Sequence, residues 1–117
     1  MLEELLHISE LFDLYGALLT ERQQQCLTMH LFEDFSLSEI GESLGISRQA
    51  VYDMLHRAEQ TMEGYESRLG FLARRRQERT ELGLIYRELA ALDVQPAKPV
   101  AALLKRLALF TDQEREV

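Results

Sequence analysis

The middle of this sequence constrains the fold more than any other part. Ser36-Leu37-Ser38-Glu39 places a serine three residues before a glutamate. In that spacing each side chain can satisfy the other residue's free backbone N–H at a helix start. Leu37, Ile40 and Leu44 then give a short helix one apolar face, and Gly45 follows where a left-handed residue can end it without Cβ strain. Ile46 is placed to pack in the turn, and Ser47 to cap the next helix. Two helices joined so tightly form a helix-turn-helix. Val51 and Leu55 anchor the second helix from below, which leaves Arg48, Gln49, Tyr52, Asp53 and His56 on its outward face. In a DNA reader that face enters the major groove.

The flanking segments read as helices too. Leu5, Ile8, Phe12, Tyr15 and Leu19 recur at three- and four-residue steps, which predicts a helix over 3–19. Thr20 and Gln23 have capping-box spacing and predict a second helix over 21–33. Beyond the motif, Val51, Leu55, Ala58, Met62, Tyr65, Leu69 and Leu72 alternate steps of four and three in a heptad-like seam. The helix that carries them extends well past Ala58 and packs against the first helix or a second copy; Gly70 either ends it or marks a close contact. Leu82, Ile85, Tyr86, Leu89 and Leu92 predict a fifth helix to about Ala91. Asp93 to Pro99 is a linker, and Pro99 suits the first turn of a last helix. The expected architecture is all-α and a single helical domain. A helix-turn-helix core with a long recognition-type helix spans 1–72, additional C-terminal helices span 73–110, and a frayed tail spans 111–117.

Charge divides the chain. Residues 1–65 carry 12 acids against 3 bases, and residues 66–117 carry 8 acids against 10 bases. An acidic molecule of net charge −7 is repelled by duplex DNA at long range. The bases cluster: Arg68, Arg75 and Arg79 share one face if the helix is continuous through Gly70, and Arg74 and Arg76 flank them. Such a cluster is a solvated face or a contact patch for RNA phosphates or an acidic partner. Cys26 is the sole cysteine, so no internal disulfide forms, and its neighbours do not activate a thiolate. His7, His30 and His56 form no metal-ligand set with other residues, and His30 reads as a rim or core residue. No catalytic, cofactor-binding or metal-ligating arrangement emerges, so the expectation is a protein that is not an enzyme and needs no cofactor. The acidic start lacks the pattern of a secretory signal, and no stretch nears the roughly 18–20 apolar residues of a membrane span, so a cytoplasmic protein is expected.

Leu19 to Gln23, Ser36 to Gly41, Leu44 to Ser47, Val51, Arg57 and Ala58 resemble the fourth conserved region of bacterial sigma factors. The match over nearly the whole length is to the YlxM family. It is carried by Tyr15-Gly16-Ala17-Leu18-Leu19-Thr20, by Phe35 to Ile40, by Ser47-Arg48-Gln49-Ala50-Val51-Tyr52-Asp53 and by Tyr65 to Leu69. Genes of that family lie beside those for the signal recognition particle GTPase Ffh or its receptor FtsY. The resemblance therefore implies an accessory or regulatory role in co-translational protein targeting, with Ffh and the particle RNA as partners. Contact residues expected on exposure and charge are Arg48, Gln49, Tyr52 and His56, with Arg68, Arg74, Arg75, Arg76 and Arg79. The rival reading is a transcription regulator that sets the same helix in duplex DNA, with a homodimer expected.

Overall fold

The computed structural model describes residues 2–92 and 98–111. Most of the expected linker, at 93–97, and the tail at 112–117 lie outside the described residues. The chain is all-α, as expected: α1 Leu2–Tyr15, a 3-10 turn at Gly16–Leu18, α2 Glu21–Leu31, α3 Leu37–Leu44, α4 Arg48–Leu69, α5 Phe71–Leu92 and α6 Lys98–Ala108. It divides into two compact units, Met1–Leu72 and Ala73–Val117.

In the first unit the sequence signals act where they stand. Thr20 and Ser36 both close full capping boxes, with Gln23 and Glu39 returning the bond to the cap N–H. Ser47 Oγ accepts from Ala50 N and starts α4. Gly45 sits at φ 71° and ψ 33°, the left-handed geometry the turn requires. Gly41 carries a second constraint: its backbone approaches the turn so closely that a Cβ would lie 2.7 Å from Ile46 O. The same approach lets Ile46 N donate to Gly41 O at 3.0 Å.

The packing forms two linked cores. Leu11, Tyr15, Leu19, Leu27, Ala58, Met62 and Leu72 make one; Cys26, Ile40 and Val51 make the other; Leu55 packs against both. The seam of α4 is thus intramolecular core from Val51 to Met62, with Leu72 joining from the first turn of α5. Leu69 is the exception and lies half exposed, because Gly70 turns left-handed at φ 65° and ends α4 beside it. Burial pushes the Cys26 thiol above its ordinary pKa, with Arg22 acting weakly against it, so this cysteine is core rather than a nucleophile.

Two expectations need correction. The first helix stops at Tyr15, not Leu19, where the chain tightens into a 3-10 turn at Gly16–Leu18. The buried apolar side chains of this stretch are Leu11 and Tyr15 on α1 and Leu19 just past the 3-10 turn, with Leu5 and Leu18 turned outward. The other concerns the arginines: with Gly70 ending α4, Arg68 does not share a helix with Arg75 and Arg79, which lie on α5.

A single carboxylate ties the ends of this unit together. Glu66 Oε1 accepts from the Tyr15 hydroxyl at 2.6 Å and from Leu72 N at 2.9 Å. Three helices are thereby pinned at one oxygen: α1, the end of α4 and the start of α5. Burial, then the bond to Glu66, raises the Tyr15 pKa above that of a free tyrosine.

In the second unit, α5 runs to Leu92 and α6 begins one residue before Pro99, which takes its place in the first turn. None of the described large apolar side chains of this unit is fully buried. Leu82, Tyr86, Leu104 and Leu107 are half-buried; Leu84, Ile85, Leu89, Val100 and Leu103 are exposed.

Candidate functional site

The outward face of α4 is built by helical spacing from a fixed start. With Ser47 capping, Arg48 is the first helical residue, and Arg48, Gln49, Tyr52, Asp53 and His56 all stand exposed on successive turns. The face is partly self-satisfied. Gln49 Nε2 donates to Asp53 Oδ1 at 3.1 Å, one turn along. The Tyr52 and His56 rings stack nearly parallel, at 4° with centroids 6.1 Å apart. His56 Nε2 in turn lies 3.3 Å from Gln60 Nε2. The side chain best suited to read an adenine edge is thus held by a carboxylate, and a carboxylate repels phosphate. Two firm cations lie near this face, Arg48 and Arg57, both exposed.

The floor of the motif is closed by a contact the sequence does not announce. Arg22 of α2 donates from Nη2 to Leu44 O at 2.9 Å, so a guanidinium covers a free carbonyl at the C-terminus of α3.

Beside the outward face lies a half-open cavity of about 300 Å³. Ile8 of α1, Leu27 and His30 of α2, Leu37 of α3, and Tyr52, Leu55, His56 and Glu59 of α4 line it. His30 is half-buried, as expected of a rim residue, but its Nδ1 is fully buried and has no hydrogen-bond partner. No other buried side-chain nitrogen or oxygen among the described residues lacks one.

The arginines are distributed between the units. Arg68 closes the last turn of α4 in the first unit. In the second, Arg74 Nε pairs with Glu78 Oε1 at 3.0 Å, an exposed contact that screens part of the patch. Arg75 and Arg79, one turn apart on α5, are half-buried, and Arg76 is exposed; Arg76 and Arg79 both take part in contacts of their own. Among the described residues no group of three histidine, cysteine or acidic side chains could hold a metal ion. No described helix is long and apolar enough to cross a membrane.

Known proteins resemble the chain over most of its length. The UPF0122 family, described as "Putative helix-turn-helix protein, YlxM / p13 like", matches residues 2–98. A UPF0122 protein of Symbiobacterium thermophilum is 38% identical over 104 residues, which is 89% of this chain and 97% of that one. A UPF0122 protein of Bacillus velezensis is 40% identical over 106 residues, covering 91% and 94%. One from Halalkalibacterium halodurans reaches 46% identity over a shorter 74 residues, 63% of this chain and 68% of its own. The extent of these matches and the capped motif around Gly45 agree: the chain belongs to the UPF0122 family of YlxM- and p13-like helix-turn-helix proteins.

Proposed function

We propose that this protein is a non-enzymatic, cytoplasmic accessory factor of the signal recognition particle, which binds Ffh, the particle RNA or their complex and modulates particle assembly or its GTPase cycle. Family membership supports the pathway, through the YlxM resemblance. The observation that carries the choice of ligand class is the bond from Gln49 to Asp53. It occupies the adenine-reading amide and leaves a carboxylate on the face that duplex DNA would have to approach. The flat Tyr52–His56 stack beside it suits a protein surface or a splayed base. Arg48, Gln49, Tyr52 and His56 supply one contact set, and Arg68, Arg74, Arg75, Arg76 and Arg79 supply cations for phosphate or acidic side chains.

The test is a fluorescence-anisotropy titration of labelled protein, at near-physiological salt, with Ffh, its RNA, their complex and random duplex DNA. Saturable binding to any of the first three, with little to DNA, is expected. Binding to DNA alone, or to none of the four, rejects the reading. The second reading, a DNA-binding regulator, draws on the exposed Arg48 and Gln49 at the start of the recognition-type helix. On that reading Asp53→Ala raises DNA affinity or changes base preference; on ours duplex binding stays as poor as before.

A further inference from the structure

The cavity beside α4 has a chemistry of its own. Its volume lies at the small end of ligand pockets, about 300–1,000 Å³, the space of one large anchor side chain rather than a cofactor. Ile8, Leu27, Leu37 and Leu55 supply apolar walls from four different helices. His30 adds a half-buried ring to this lining, and its buried Nδ1 is shielded from the cavity.

The surroundings fix the sign of the occupant's charge. Glu59 lines the cavity, and no lysine or arginine does. Glu63 stands one turn further along α4, in contact with His7. Exposed Glu4 precedes Ile8 by one turn on α1. Leu5 also lies one turn from Ile8 and is 42% exposed, so the apolar surface continues out of the cavity along α1. An apolar hole with an apolar run-out and an acidic margin is complementary to an amphipathic helix whose polar face is basic.

We propose that this cavity is a docking site for a cationic amphipathic helix of a protein partner, which seats one large apolar or aromatic side chain, such as tryptophan, between the walls from Ile8, Leu27, Leu37 and Leu55. The proposal rests on the protein-binding side of the function given above, but not on which protein that is. RNA is disfavoured here because the same acidic margin repels phosphate.

The chain contains no tryptophan, so a peptide carrying one reports binding without background. The probe is a synthetic Leu/Lys/Ala helix with one central tryptophan, titrated with the full-length protein. A blue shift of the indole emission and saturable binding are expected. A peptide with glutamate in place of lysine should not bind, and replacing the tryptophan with alanine should weaken binding about tenfold or more. Glu59→Lys should weaken the lysine peptide severalfold, and Ile8→Ser, which removes an apolar wall, should do so too. Equal binding of the basic and acidic peptides overturns the proposal. So does the absence of any shift, or indifference to both substitutions in variants that melt like the parent. Displacement of the peptide by an unstructured RNA oligomer would transfer the cavity to nucleobases and overturn it as well. Loss of Ffh binding in the anisotropy titration would remove that partner while leaving a positive peptide result intact, so the two proposals fail separately.

Discussion

The two units of this chain use similar proportions of apolar sequence in different ways. In the first, ten hydrophobic residues, from Leu11 to Leu72, are buried; in the second, among the described residues, Ala108 is the single one. Yet each unit also leaves large apolar side chains in water, from Leu5 and Phe32 in the first to Leu92 and Phe110 in the second. The difference lies in direction and punctuation. Thr20, Ser36, Ser47, Gly45 and Gly70 start or stop helices at fixed residues in the first unit, so four helices cross and cover each other's apolar faces. Among its described residues the second unit holds most of α5 and all of α6, and two helices alone cannot enclose a side chain on all sides. A helical stripe in a sequence is therefore an offer of burial, and the number of crossing partners decides whether it is taken up.

The sharpest way to break this comparison is to delete equivalent bulk from each unit. Met62→Ala should destabilise the protein by about 2–5 kcal/mol, as for other fully buried large residues, whereas Leu89→Ala should change it by no more than about 0.5 kcal/mol. Urea unfolding measures both, and comparable losses would refute the contrast. Next in size is Gly41→Ala. The new methyl meets a backbone oxygen that cannot rotate away, and a cost of about 1–3 kcal/mol is expected, with amide shifts centred on Ile46.

Tyr15→Phe comes third. It removes the donor to Glu66, at about 1–2 kcal/mol. It should also change the alkaline limb of the stability curve. The folded pKa of Tyr15 is raised, so its contribution is complete below the unfolded value of about 10 and is lost as pH rises through the folded one. The parent should lose stability more steeply than the variant above that pH, as followed by circular dichroism. The smallest effect has the opposite sign. Gly64 lies in the interior of α4, and a methyl added there would find nothing within 4 Å. Gly64→Ala should therefore raise stability by about 0.5–1 kcal/mol, read from the same urea curves.

Most of the first unit was legible in the sequence because its boundaries are chemical. A serine or threonine three residues before an acid or amide is a local instruction, and α2 and α3 begin where those residues stand; Ser47 starts α4 as a simple cap. The end of α1 was not legible: the chain tightens into a 3-10 turn at Gly16–Leu18, and the apolar spacing alone runs on to Leu19. Gly70 could be read either as a stop or as a close contact, since spacing does not reveal the sign of φ. At the site, the outward face of α4 follows from the helical period, and the Gln49–Asp53 and Tyr52–His56 pairs from the four-residue spacing. The cavity does not follow from any such rule. Ile8, Leu27, Leu37 and Leu55 are ordinary apolar positions until four helices cross, and the bare nitrogen of His30 is a property of the assembled fold. The Arg22 contact with Leu44 is likewise a tertiary event between residues 22 apart.

The close approach at Gly41 has a consequence for how such a protein can drift. Any single-nucleotide change in a glycine codon that still encodes an amino acid, unless silent, adds at least a Cβ. Every nearest neighbour in mutational space therefore meets the same carbonyl oxygen. Position 41 is a dead end for gradual change, while Gly64, two turns past the outward face on α4, opens onto a slope of helix-favouring replacements. In a saturation library selected for folding, the first position should return almost nothing but glycine and the second should fill with alanine and its kin.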